Sequence, residues 1–247
     1  MSSPLRWEGG WCINAHGERL YAFHVRHDAG RITRMNPKPG RAYGNTCVPE
    51  RLSSPIPDYP QIDLSRSRRA RRTVVDLAVA SRLHRTVTLT YQDLPEMGGI
   101  TNDLRLYLRR LRSRFAEVPW IAAAQRGSEC GRPHIHLLLP KTVDTETVKA
   151  QWVRGIVHVT TTQTIDGLRR AAMYLCHDFD LPAGERLTKH RYSRSRNCVL
   201  EPSQVWLLTE QEMDEWILEQ GIDVRWRTPD EQYSFVQRTG FFDPQNL

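Results

Sequence analysis

His134 and His136 stand two apart in GRPHIHLLLP, residues 131–140. In an extended strand alternate side chains share a face, so both imidazoles point one way and Ile135 the other. Two imidazoles side by side are a ready pair of ligands for a divalent cation. The same pattern also describes two hydrogen-bonded histidines on a half-buried strand. Gln125 precedes them across a Gly-rich connection of hairpin length, RGSECGRP, and offers a neutral carbonyl oxygen acceptable to Mg²⁺ or Mn²⁺. Glu129, inside that connection, is the competing oxygen donor. Two nitrogens and one oxygen with open positions suit a cation that must also take a phosphate oxygen.

Tyr174 follows in LRRAAMYLCHDF. On a 3.6-residue period, Leu168, Ala171, Ala172, Leu175 and Phe179 form a buried stripe, while Tyr174, Arg170 and His177 fall together on another face. Positive charge on either side of a phenol favours the phenolate. A phenolate can attack a phosphodiester and keep the 5′ phosphate as a covalent ester. An ordinary amphipathic tyrosine at the edge of a core is the other reading of this position.

These side chains need a scaffold, and the periodicity supplies one. RTVTLTY (85–91) is β-branched and alternating, a strand. Residues 101–115 follow as a helix, with Leu104, Leu108, Leu111 and Phe115 on one stripe. Trp120–Gln125 and His134–Leu139 read as two strands, 144–152 as a short helix, 155–162 as a strand and 166–179 as a helix. The order β-α-β-β-α-β-α predicts an α+β fold, a central antiparallel sheet with helices packed on it. A helix over 63–82 precedes this core, loaded with Arg66, Arg68, Arg69, Arg71 and Arg72: a solvated basic face or a stripe that tracks phosphates. A last helix runs from about Thr209 to Gln220, with Glu212 completing a capping box.

The flanks differ from this core in character. Residues 1–62 read as loop-rich, with LYAFHVRH and GRITRM as two short strands around Asp28-Ala29-Gly30. Cys12, His16, His24, His27 and Cys47 are residue types that hold zinc, but their spacing fits no C-x-x-C or H-x-x-x-H scheme. Residues 201–247 carry a net charge of −7 and residues 1–200 carry +14, within a chain total of +7. A basic body points to a polyanionic partner, nucleic acid first. Three segments are expected: an N-terminal extension (1–62), a core (63–200) and an acidic helical extension (201–247). With hydrophobic residues at 39%, the chain can bury a core, and it has no apolar run long enough for a membrane helix. An N-terminus without an apolar stretch and five scattered cysteines fit a reduced, cytoplasmic protein.

The strand VTLTY (87–91), the pair in RPHIHLLL (132–139) and the later helical Tyr174 resemble three ordered motifs of rolling-circle replication initiators of the HUH endonuclease superfamily, found in small plasmids and single-stranded DNA phages. The likeness spans about 66–197 and includes KHRYSRSRN (189–197), similar to a basic ending of such initiators. It implies an HUH palm-like sheet, with His134 and His136 as ligands of Mg²⁺ or Mn²⁺, Gln125 where the family usually has an acid, and Tyr174 as nucleophile. His177 stands where a lysine is expected to assist the tyrosine and the cleaved phosphate. Arg66, Arg68, Arg69, Arg71, Arg72, Arg170, Arg191, Arg194 and Arg196 are the expected DNA contacts. The histidines precede the tyrosine, whereas conjugative relaxases of the superfamily usually reverse that order. No second tyrosine lies at helical spacing from Tyr174, and Tyr192 is the nearby rival. The resemblance implies a single-tyrosine nickase and ligase acting on a single-stranded origin hairpin, working with a host helicase and polymerase. Other readings are a single-tyrosine transposase, a catalytically silent single-strand-binding module or repressor, and a metal-dependent hydrolase using water.

Overall fold

A computed structural model describes residues 6–8, 11–13, 16–36, 60–95, 98–127, 131–227 and 236–244. The chain divides into two compact units, one of residues 56–200 and one in which residues 1–55 join residues 201–247. The larger unit is an α+β fold around a five-stranded antiparallel sheet. The strands are β5 (Arg85–Thr90), β6 (Ile121–Arg126), β7 (Pro133–Leu139), β8 (Val157–Thr161) and β9 (Ser193–Arg194), in the spatial order β8-β5-β7-β6-β9.

Helices cover both faces of this sheet. On one face α1 (Pro60–Ala80) and α4 (Ile165–Leu175) bury Val74, Leu77, Leu168, Ala172 and Leu175 against Ile121, Ala123 and Leu138. On the other, α2 (Gly99–Arg112) and α3 (Thr145–Ala150) close over Val87, Leu89, Ile135, Leu137 and Leu139. A strand covered on both sides has no use for alternation, which explains the unbroken run Leu137–Leu139. The two histidines interrupt that apolar strand. Helix α4 starts where the Thr164 hydroxyl accepts the Gly167 N–H. Gly155 permits a close approach: a Cβ there would lie 2.4 Å from the Thr90 carbonyl oxygen, beside the paired ends of β5 and β8.

The expected helix over 166–179 is shorter in the structure. It ends at Leu175, Cys176 leaves helical geometry (φ −92°, ψ 9°), and His177–Asp180 form a 3₁₀ turn. That turn is strapped to α1. Asp180 accepts two hydrogen bonds from the Arg71 guanidinium, at 2.9 and 2.6 Å, and one from Ser67. Burial pushes the Asp180 carboxyl up, but Arg71, Ser67 and the nearby Arg68 outweigh it and hold it below the usual range. The strap therefore contributes fully above an ordinary carboxylate value and is lost as pH falls through the depressed folded value. Asp180→Asn is expected to lower stability by about 1 kcal/mol at neutral pH, a gap that thermal melts should show closing in strong acid.

The smaller unit is a second antiparallel sheet. Its strands from the first part of the chain are β1 (Arg6–Glu8), β2 (Trp11–Ile13), β3 (Arg19–Arg26) and β4 (Arg31–Met35); β10 (Gln204–Leu208), β11 (Arg225–Arg227) and β12 (Val236–Phe241) come from the last part. β10 pairs with β3 and β12 with β4, so the segments read separately at 1–62 and 201–247 share one sheet. Their pairing partners lie at opposite ends of the chain, where local periodicity carries no signal. Helix α5 (Glu210–Glu219) is capped reciprocally by Thr209 and Glu212, as its sequence predicts. Within this unit His27 meets Gln204 Oε1 at 3.3 Å and packs edge-on to Trp206 and Trp216. Among the described residues no group of three or more His, Cys, Asp or Glu is placed to hold a metal ion, and Cys47 lies outside them. No helix among the described residues is long and apolar enough to cross a membrane.

Candidate active site

Register brings the chemistry together. Thr88 of β5 and Ala123 of β6 stand opposite His136 of β7, and Thr90 and Gln125 stand opposite His134. Directly opposed residues share a face, so Gln125, His134, His136 and Thr88 all lie on the α1/α4 side. Leu138 continues that row into the core beneath the helices, and the histidines lie where it emerges.

The two imidazoles converge, with their Nε2 atoms 2.9 Å apart. His134 Nδ1 is 3.3 Å from the Arg132 carbonyl oxygen, which can only accept, so that nitrogen carries the hydrogen and its Nε2 presents a lone pair. His136 Nδ1 is 3.1 Å from the Thr88 hydroxyl, which can donate or accept. With no cation, His136 Nε2–H donates to His134 and Thr88 donates to His136. Reversing the Thr88 hydroxyl and the His136 tautomer frees both Nε2 lone pairs without moving a ring, as a shared ligand pair requires. Burial pushes the His136 pKa down to about 4, and the neighbouring His134 adds to this, so the ring is neutral at pH 7. The 2.9 Å separation is close to the roughly 3.0 Å edge of an octahedron with bonds of about 2.1 Å. The pair fits a divalent cation.

Gln125 is only 4% exposed. Its Nε2 donates to the carbonyl oxygens of Tyr174 (3.2 Å) and Leu175 (2.7 Å), the last residues of α4. Both bonds use the nitrogen end of the amide, because two carbonyls can be met only by the –NH₂ group. The amide oxygen remains as the third donor of the set. Glu129 lies outside the described residues.

Tyr174 is 61% exposed, and its ring centroid is 5.1 Å from that of His136. Arg170, one turn earlier, is also exposed. His177 does not share their helical face, contrary to the sequence expectation, because α4 stops before it. Instead His177 Nδ1 pairs with Asp178 Oδ1 at 2.8 Å, and Asp178 Oδ2 accepts the backbone N–H of Arg126 at 3.1 Å. Asp178 thereby ties the 3₁₀ turn to the end of β6 and orients His177. Both groups are near enough to act on the charge of His136, Asp178 favouring its protonated form and His177 opposing it. Asp178 and Thr88 escape sequence reasoning. An acid directly after His177 is the one available signal for the first, and Thr88 has none without the register.

The arginines divide. Arg66, Arg69 and Arg72 are exposed and spaced three apart along α1, whereas Arg71 is held by Asp180 and Arg68 is half-buried, so the five do not form one stripe. Arg191 donates to the Phe179 carbonyl oxygen at 2.8 Å and Arg194 to that of Cys198; Arg196 is exposed. The basic tail also supplies β9, paired to the edge of β6. Tyr192 stacks on Phe179 (6.0 Å, 15°) against the apolar core, and burial pushes its phenol up. Packing thus accounts for the rival tyrosine.

Residues 84–180 match the family model of the ORF2-type replication-associated proteins. The matched span is similar to replication-associated proteins and contains Thr88, Gln125, His134, His136, Tyr174, His177 and Asp178, the whole of the candidate site. No curated protein and no solved structure matches the chain.

Proposed function

We propose that this chain is a site-specific single-stranded DNA nickase and strand-transfer enzyme that initiates rolling-circle replication. The observation that carries this reading is an exposed tyrosine ring 5.1 Å from a buried, neutral histidine whose Nε2 converges on that of a second. His134, His136 and the Gln125 amide oxygen would hold Mg²⁺ or Mn²⁺. When bound, the cation supplies Lewis-acid polarisation of the scissile phosphate.

Tyr174 Oη attacks phosphorus in line, and the bond from phosphorus to the 3′ oxygen breaks. The products are a 5′-phosphotyrosine and a free 3′-hydroxyl. With Nδ1–H given to Asp178, His177 presents Nε2 as the acceptor for the phenol proton, which it can then give to the leaving oxygen. The 3′ end primes synthesis by a host polymerase, and attack by a later 3′-hydroxyl reverses the ester and rejoins the strand. The ester conserves the bond energy, so no nucleotide is consumed. These 247 residues contain no G-x-x-x-x-G-K-[ST] loop, and unwinding falls to a host helicase.

Arg66, Arg69 and Arg72 are the best placed for phosphate contacts, with Arg170 beside the nucleophile. Replacing the three by Ala should flatten the slope of log affinity against log salt by about 2, at roughly 0.7 per phosphate contact on a single strand. Filter binding across a salt series checks this.

The test of the reading incubates the protein with a pool of single-stranded oligonucleotides and Mn²⁺, then denatures it. A covalent adduct that chelation prevents and peptide mapping assigns to Tyr174 supports it. Cleaved DNA without adduct would indicate a water nucleophile, and binding without cleavage a silent module. Either result sinks the proposal.

A further inference from the structure

We infer that Gln125 is a positioning residue that couples the cation to the nucleophile: its amide nitrogen caps the Tyr174 helix from the sheet, its amide oxygen is left for the cation, and a carboxylate cannot take its place. The cation half of this inference rests on the nicking reading above, whereas the capping half stands without it.

In a continuing α-helix the carbonyls of Tyr174 and Leu175 would accept the N–H groups of residues 178 and 179. Here the Phe179 N–H bonds instead to the Cys176 carbonyl at 3.1 Å. The two hydrogens of Gln125 Nε2 take the place of the two absent backbone donors. A side chain from β6 therefore ends the helix, one residue after the nucleophile. The next residue of the same strand acts beside it, because the Arg126 N–H receives Asp178 after the chain has turned at Cys176. Adjacent positions of one strand thus hold the backbone of Tyr174 and the carboxylate that orients His177.

Burial makes this arrangement selective. Gln125 and the Leu175 carbonyl it serves are shielded from water, so a lost donor is not replaced by solvent. A glutamate would put an acceptor-only, negatively charged group 2.7–3.2 Å from two carbonyl oxygens, at the electronegative end of a helix. An acid is the stronger ligand for a hard cation. The helix, not the cation, accounts for the neutral amide at the position where the resemblance leads one to expect an acid.

The test compares the full chain carrying Gln125→Glu or Gln125→Met with the unaltered protein. Three quantities are read: amide hydrogen exchange, Mn²⁺ affinity without DNA, and the rate of adduct formation. Exchange of the amides at 176–180 is expected to quicken about tenfold in both variants while β7 stays protected. Adduct formation should fall about 100-fold in both, the scale of a displaced reacting group. Gln125→Glu should nonetheless bind Mn²⁺ at least as tightly as the parent, which a merely weakened ligand set would not. Unchanged exchange at 176–180 in both variants, or a parental adduct rate in Gln125→Glu, would overturn the inference. If Gln125→Glu also loses protection in β7, Gln125→Met, which adds no charge, decides. If the parent forms no adduct, that failure belongs to the nicking reading and exchange still decides the capping.

Discussion

Tyr174→Phe is expected to abolish the covalent protein–DNA adduct, lowering its rate by at least about 10³-fold, since the substitution removes the attacking oxygen itself. Little else should change. The ring that packs edge-on to His136 is retained, and the side chain is largely exposed, so stability should stay within about 0.5 kcal/mol of the parent. Single-strand affinity, which phosphate contacts dominate, should also persist. Denaturing gels, thermal melts and binding isotherms on the same preparation separate these effects. An adduct that survives in Tyr174→Phe would remove Tyr174 from the chemistry. Tyr192 is not a ready substitute, because it is packed on Phe179.

His136→Ala should produce the second large effect. Removing one of two converging nitrogens is expected to weaken Mn²⁺ binding by more than the roughly 10–100-fold that loss of an outer partner costs, with adduct formation falling in parallel. The same substitution tests a pH dependence. The folded value of about 4 lies below the ordinary 6.5 because burial, and then the charge on His134, disfavour the imidazolium. Between those values the unfolded chain binds a proton that the folded one refuses. Stability contributed by the neutral ring is therefore complete above about 6.5 and is lost as pH falls toward 4. Melts across this window should show a steeper acid loss in the parent than in His136→Ala. Parallel curves would show that His136 is not held neutral by its surroundings.

Legibility differed between parts of the molecule for physical reasons. The α+β core from residue 85 onward was readable because β5, β6 and β7 are β-branched or apolar runs and α2 carries a clear apolar stripe. The Thr209–Glu212 box was readable because capping is local. The division into units was not, since the strands that join 1–55 to 201–247 are paired across the length of the chain. The end of α4 was also hidden. Nothing in LRRAAMYLCHDF announces a stop after Leu175, because the group that ends the helix belongs to another strand.

Side-chain direction is set by the backbone period, a property of a few neighbouring residues. The sequence by itself therefore determined that His134 and His136 share a face and that Tyr174 stands off the buried stripe of its helix. Hydrogen-bond partners drawn from distant segments are decided only when the chain closes on itself. Tertiary structure alone brought Thr88 to His136, turned the Gln125 amide onto the end of the tyrosine helix, and seated Asp178 between His177 and β6.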